Sequence, residues 1–403
     1  MKSRKSLAAW LLLSALACSG GDGVTPEPEP PEITVTGVAA GGVYDQPVTI
    51  VVTVDAGTYS ATLNGESFFS GSTVAAPASY VLDVVARNGT LTSTMRIAFS
   101  IQFGGPGVMI LRMFDLGENE NGGGGDALLL TDSTAGGQRH VLFDAGPAGP
   151  GGLDLTFGAE RLEDLGVDTL EALVLSHAHS DHFDGMSDVL DGVYVRAFYY
   201  NGQVRNFFRY TNLIAQAATD AGQRITVTEP IELNVGTAAG THLRILPPLS
   251  TYLGNPDATS AEINNGSIGT RVTRGAFSLF VAGDGEVEAN QRWRTVHADD
   301  TRSLTALKVG HHGANDAVFD NGSFGSSAWL EHTDAELQLI SANGTSHPRI
   351  RSLSALLARP AQTYCTPVHG DIEVRVDASG VVWVVSVERN ADMDCVPGRD
   401  ATS

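Results

Sequence analysis

The chain has 403 residues, 42% of them hydrophobic and 7% aromatic. That is enough apolar material for two or three domains with cores of their own, and it excludes wholesale disorder. Its 25 Lys and Arg stand against 46 Asp and Glu, a formal charge of −21, which repels polyanions and argues against a broad nucleic-acid-binding face, although cations gathered in one cleft would reverse the field locally.

Residues 1–17 read as an export signal. Lys2, Arg4 and Lys5 precede an apolar run from Leu7 to Ala17, and about eleven apolar residues are too few to span a bilayer. Ala15-Leu16-Ala17-Cys18 resembles a bacterial lipobox with Ala15 where Leu is usual, which makes Cys18 the expected acylated first residue of a cell-envelope lipoprotein. Cleavage at the same Ala-x-Ala stretch to give a soluble secreted protein is the alternative. No other stretch has the length and apolarity of a membrane helix, so contact with a membrane is expected through the lipid alone. Residues 18–32, with Pro26-Glu-Pro-Glu-Pro-Pro31, cannot bury a core and form a tether. With Cys18 lipidated, Cys365 and Cys395 remain as an even pair in an oxidising compartment. They are a candidate disulfide, two buried free thiols being the alternative.

Residues 33–104 alternate apolar and polar at strand spacing, as in Val48 to Val54 and Tyr80 to Ala86, with Asn88-Gly89 marking a tight turn before Leu91 to Ile101. A small all-β sandwich is expected. Its Tyr-x-Leu-x-Val and Asn-Gly pattern resembles bacterial immunoglobulin-like modules, which implies a spacer or adhesion role. Residues 105–390 then alternate apolar strands (Val108 to Phe114, Ala127 to Thr131, Val141 to Ala145, Leu170 to Leu175, Phe277 to Ala282) with amphipathic segments such as Ala159 to Leu165. This predicts an α/β layered domain with its site at one edge of the sheets, followed by a C-terminal tail, 391–403. The Gly122 to Gly125 run lacks dinucleotide or phosphate-loop spacing.

The chemistry concentrates where the strand Leu170 to Leu175 runs into His177-Ala-His179-Ser-Asp181-His182. In an extended chain His177 and His179 face the same way and can share one metal, while Asp181 and His182, entering the next turn, are presented to a second. Imidazole and carboxylate at this density suit Zn, with Mn or Fe as alternatives, and an unpaired buried cluster of this kind would be costly. Asp284, after Gly283 at the end of another strand, is placed to bridge two metals. Leu307-Lys-Val-Gly310-His311-His312-Gly313 supplies a further nitrogen, from His311 or from His312 as the alternate. His347 and His369 are candidates for substrate contact or proton delivery. His140, His297 and His332 have no motif context and read as solvent-facing.

In this order the landmarks resemble the metallo-β-lactamase superfamily, and within it the hydrolase domain of the ComEC-type DNA-uptake competence protein. Phe114-Asp115-Leu116-Gly117 with Gly125-Asp126-Ala127-Leu128 is similar to that domain's Phe-Asp-Val-Gly-x-Gly-Asp-Ala opening, split here by a loop. Val141 to Gly146, Asn264-Asn-Gly-Ser267, Ser341 to Pro348 and Tyr364 to Trp383 continue the likeness, which spans about 108–387. The resemblance implies a four-layer αβ/βα sandwich and two divalent ions held by His177, His179, Asp181, His182, Asp284 and His311. With no channel in the chain, DNA transport is not implied. His242 is the sole histidine between the first cluster and Asp284 and sits within a strand-like run, so a third histidine for the first metal is not expected, which counts against lactam or thioester cleavage.

Such a centre would activate water for hydrolysis, with Asp181 and Asp284 as both ligands and proton acceptors. Three functions are compatible with this reading. The first is hydrolysis of a phosphodiester outside the cytoplasm, on a phosphate ester or other small substrate without stable nucleic-acid binding. The second is cleavage of a carboxyl ester, lactone or lactam. The third is a non-catalytic adhesion or scaffold lipoprotein.

Overall fold

The computed structural model describes residues 29–44, 47–74, 78–101, 107–117, 124–134, 137–147, 158–236 and 240–401. The expected leader, Cys18 and most of the tether lie outside the described residues.

The first stretch is all strand. Val48–Val54 buries Val48, Ile50 and Val52 and exposes the residues between them, the period-2 pattern of a strand with one covered face. It lies between Ile33–Thr36 and Ser72–Val74, while a five-stranded sheet joins Gly42–Tyr44, Leu91–Ile101, Ala78–Asn88, Thr58–Leu63 and Glu66–Ser67. The two sheets share a core that includes Ile50, Val52, Leu82, Val84, Ala86 and Phe99. Asn88 pairs with Leu91, so the tight turn consists of Gly89 and Thr90, and Gly89 adopts φ 62°, a conformation that favours glycine.

Beyond it stand two large mixed sheets. One runs Gln223–Thr226, Ala197–Tyr200, Ala172–Val174, Gly137–Phe143, Leu128–Thr134, Val108–Met113, Ile372–Val376, Trp383–Val387; the other runs Ile231–Val235, Thr241–Leu246, Gly269–Arg274, Phe277–Val281, Ala306–Lys308, Leu337–Ile340, Gln362–Cys365. Each is antiparallel over one part and parallel over the rest. Leu111, Leu130 and Val141 of the first meet Val272, Leu279 and Leu337 of the second in one shared core. The other face of the first sheet, through Leu142, Leu173 and Phe198, packs with the helices Met186–Gly192 and Phe208–Asp220. Phe280 and Leu307 of the second pack with Val287–Val296, Ala328–Thr333 and Ile350–Leu357. Covered on both faces, Phe277–Val281 and Ala172–Val174 are buried at every position, which is why they read as continuous apolar runs in the sequence.

The expected strand Leu170 to Leu175 is divided into Thr169–Leu170 and Ala172–Val174. Glu171, between them, turns its carboxylate to Arg139 at 3.0 Å and Arg196 at 3.2 Å, and Thr169–Leu170 pairs separately with Tyr194–Val195. Among the described residues no helix is long and apolar enough to cross a membrane.

Two links stiffen the domain. Arg274, on the second sheet, donates to Asp132 of the first at 2.5 Å, and their side chains are 3% and 0% exposed; the main-chain N–H of Thr241 also donates to Asp132. Cys365 and Cys395 form a disulfide across a sequence separation of 30, tying the C-terminal segment to the end of the last strand of the second sheet. Removing Arg274 leaves the buried Asp132 without its counter-charge, so Arg274→Ala should lower the unfolding free energy by about 3 to 5 kcal/mol; urea denaturation measures this, and a well-packed apolar replacement of both residues should cost less. Reducing the disulfide frees a loop whose closure is worth about 3 to 4 kcal/mol. Calorimetry should then show Tm falling by about 5 to 10 °C, with no further effect of reductant on a Cys365→Ser/Cys395→Ser double variant.

Candidate metal centre

The parallel strands end at one edge, where open α/β sheets place their sites. Ala172–Val174 leads through Leu175 and Ser176 to His177, Phe277–Val281 leads to Asp284, and Ala306–Lys308 leads to the turn His311–Gly313. His179 is still extended (φ −97°, ψ 148°) and begins the single helical turn Ser180–Phe183 that carries Asp181 and His182. Gly283 adopts φ 52°, and a Cβ there would lie 2.8 Å from the Cβ of Ser176. The Gly-Asp pair thus allows two strand ends to approach closely enough to share one carboxylate.

That carboxylate is Asp284. Its Oδ2 lies 3.2 Å from His182 Nε2, 3.4 Å from His312 Nε2 and 3.8 Å from His177 Nε2. Asp181 Oδ2 lies 3.4 Å from His312 Nε2 and 3.9 Å from His182 Nε2. Two donor groups result, His177 with His179 and Asp284, and Asp181 with His182, Asp284 and His312, each close enough to surround one ion.

The outward ring nitrogen of each imidazole has a protein partner. His182 Nδ1 donates to Asp144 Oδ2 at 2.8 Å. Ser176 Oγ donates to the same oxygen at 2.6 Å and in turn accepts from His177 Nδ1 at 3.0 Å. His312 Nδ1 donates to the Ser341 carbonyl at 3.0 Å, and His179 Nε2 meets Ser260 Oγ at 3.2 Å, leaving its Nδ1 2.9 Å from His177 Nε2. For His177, His182 and His312 these partners engage Nδ1 and turn Nε2 inward, where it can serve an ion. His182 Nε2, His312 Nε2 and Asp284 Oδ1 are buried without a hydrogen-bond partner. Buried, converging and unpartnered nitrogen and oxygen donors are what a divalent ion requires, so the residues fit one.

The electrostatics lead to the same conclusion. Burial pushes His177 well below the usual histidine range and holds His179 at about 4. Burial acts the same way on His182 and His312, but Asp284 with Asp144 around the first, and Asp284 with Asp126 around the second, carry both well above it. For Asp284, burial acts upward and is outweighed by His182 and His312, so its carboxyl lies well below the ordinary range. Without a cation, the cluster balances its buried negative charge with protons on two imidazoles; an ion would take their place.

The structure corrects several sequence expectations. His311, the expected ligand, turns its Nδ1 to Asp316 at 3.0 Å and to Glu286 at 3.3 Å, in a donor group separate from the two around Asp284, and it is the alternate, His312, that joins Asp181, His182 and Asp284. His311 and His312 both adopt left-handed backbone angles, φ 45° and 52°, and this local reversal sends two adjacent rings to different partners. His369 is fully buried, accepting from the Cys365 N–H and donating to the Met393 carbonyl, each at 3.0 Å. Both its nitrogens are used, so it has none for substrate. His347 stays beside the centre, its ring 5.6 Å from that of His311 and 6.0 Å from that of His312, and burial, His312 and His311 hold it down at about 3. His242 pairs with Glu232 at 3.0 Å, outside both donor groups. His140 and His332 are not solvent-facing as expected: they meet Thr131 and Thr301, each at 2.9 Å, and the side chain of His297 is 9% exposed.

Of three supporting residues, Asp144 and Asp126 lay in stretches quoted from the sequence without an assigned role, and Glu286 lay outside them. Asp144 orients His182 and Ser176. Asp126 lies 3.5 Å from His312 Nδ1 and pairs with buried Lys308, which also donates to the Gly283 carbonyl at 3.2 Å. Glu286 accepts from Asn264 at 2.7 Å; burial, with Asp316, raises its carboxyl to about 7.

Among curated proteins none matches the chain. Solved structures that resemble it include a CmlA beta-hydroxylase mutant (12% identity, 66% of this chain and 54% of that one, TM-score 0.41), so the match spans about half of the hydroxylase. A new diphosphatase from the PhnP family resembles it at 15% identity over 67% of this chain and 98% of that one, TM-score 0.41. MEM-A1, a subclass B3 metallo-beta-lactamase isolated from a soil metagenome library, does so at 14% identity over 48% and 77%, TM-score 0.28. Residues 121–250, which contain the His177 to His182 cluster, match the profile of the Metallo-beta-lactamase superfamily. Together with the donor groups around Asp284, this match supports a metal-dependent hydrolase.

Proposed function

We propose that the domain is a phosphodiesterase working outside the cytoplasm with two divalent ions, Zn or alternatively Mn or Fe. His177, His179 and Asp284 would hold one, and Asp181, His182, Asp284 and His312 the other. The observation that carries this reading is the shared Asp284 carboxylate, faced by the inward nitrogens of three imidazoles whose outward nitrogens are already engaged. Ions bound side by side would lower the pKa of a water toward about 7 and neutralise charge on the attacking and leaving oxygens of an in-line displacement.

In that displacement the water oxygen bonds to phosphorus and the bond to the ester oxygen breaks, its electron pair leaving with that oxygen. Asp181, with 32% of its side chain exposed, is the ligand carboxylate placed to take the water proton. Asp144 holds His182 in its tautomer, and His347, beside the centre, would be the residue to meet a substrate oxygen. By the resemblance drawn from the sequence, lactam or thioester cleavage would call for a third histidine beside His177 and His179, and the described residues offer none there. We read the two large sheets and their helices as a four-layer αβ/βα sandwich, and the N-terminal strands as an immunoglobulin-like spacer. Ala15-Leu16-Ala17-Cys18 supports export as a lipid-anchored protein, with soluble secretion as the alternative.

Purified protein should contain two ions per chain and cleave bis(p-nitrophenyl) phosphate faster than lactones or lactams. Chelation should stop turnover, and added divalent ion should restore it. Asp284→Ala should lose metal and at least about 10²-fold in kcat; equal rates in the variant and the wild type would remove the assigned role. Asp144→Asn should weaken metal affinity about 10- to 100-fold, measured by competition with a chelating dye.

A further inference from the structure

One wall of the centre is a segment with no role in holding metal. Asn201 Nδ2 donates to the Gly266 carbonyl at 2.8 Å, Val204 N to Leu253 at 2.7 Å, and Gln203 Nε2 to the carbonyls of Tyr252 and Asn255 at 3.2 Å each. Fixed in this way, the segment aims Arg205 at the metal-binding loop, where its guanidinium donates to the carbonyl of Ala178, between His177 and His179. The guanidinium groups of Arg205 and Arg209 both lie over the Phe207 ring, at 5.6 Å and 5.1 Å from its centroid. Arg209 is neutralised by Asp184 at 2.5 Å. Arg205 has no carboxylate within ion-pairing distance among the described residues, in a chain with 46 acidic side chains. Next to it in the chain Val204 is 49% exposed, and Phe208, three residues on at the start of the helix Phe208–Asp220, is 76% exposed. A cation left without a counter-ion at the mouth of a metal centre suits an anionic ligand, and exposed apolar side chains flanking such a site mark a contact for apolar ligand surface.

We propose that Arg205, Val204 and Phe208 form the recognition rim for a phosphodiester that carries an aromatic ester group. The guanidinium takes the phosphate charge, and the Phe208 ring, with Val204, covers the aryl group. This rests on the phosphodiesterase reading and narrows it to a substrate class. Phe208 lies at the surface, so replacing it opens no cavity.

The test is calorimetric titration of the metal-loaded full protein with diphenyl phosphate and with dimethyl phosphate, paired with kinetics on bis(p-nitrophenyl) phosphate and methyl p-nitrophenyl phosphate, which share a leaving group. Wild type should favour the diaryl compound in both. Phe208→Ser should cut the diaryl-to-dialkyl affinity ratio about tenfold, the size of one aromatic contact, with the change appearing in KM rather than kcat. Arg205→Gln should weaken both ligands, and Arg205→Lys should recover part of the loss. An unchanged ratio in Phe208→Ser overturns the rim while leaving the phosphodiesterase reading standing. A wild type that neither binds nor cleaves any of these diesters overturns both.

Discussion

A buried carboxylate governs the site. Asp284 is drawn out of water at the end of a strand covered on both faces, where an isolated negative charge would be prohibitive. What makes it tolerable is the ring of imidazoles from two other stretches of chain, and those rings can face it only because their outward nitrogens are tied elsewhere. Asp144 does this for His182 directly and for His177 through Ser176. The centre is therefore a network in which each donor is aimed by a partner behind it, and Asp144 matters to its geometry as much as the residues that face inward.

The sheets make this arrangement possible. Parallel strands deliver three chain segments to a common edge, and the close approach at Gly283 lets two of them meet. The buried Asp126–Lys308 pair then ties the loop before Leu128–Thr134 to the strand that precedes His311. Lys308 reaches the Gly283 carbonyl as well, so one cation ties Asp126 to the backbone just before Asp284. A buried ion pair is weak evidence of stability. Here it fixes the relative position of loops that would otherwise be free to slide.

The sequence exposed the cluster His177 to His182 because its spacing is local: side chains two apart on an extended chain share a face, and the next turn follows at once. Asp284 was legible for a similar reason, as a polar residue directly after an apolar strand. The choice between His311 and His312 was not. Adjacent residues with the same side chain differ only in where the backbone sends them, and two successive left-handed residues leave no mark in composition or periodicity. The helices and strands followed their apolar patterns, whereas the break at Glu171 came from distant arginines that no local pattern reveals. His369 misled because a histidine before Gly-Asp looks catalytic until its backbone partners are seen.

The same distinction explains why the orienting residues were harder to read than the inward-facing ones. Four of the inward-facing residues lie together on one short segment, His177 to His182, where their density can be seen. A residue that aims a ligand needs only one contact, and Asp144 is 38 positions from His182. Such residues stand out only when the tautomer question is asked of every histidine: which nitrogen is engaged, and which is left to face the cavity. For His177, His182 and His312 the answer is the same, Nδ1 engaged and Nε2 inward. His179 reverses it, with Nε2 on Ser260 and Nδ1 toward His177. That reversal lets two histidines only two residues apart approach one point from different directions, a geometry that a single shared tautomer would not provide.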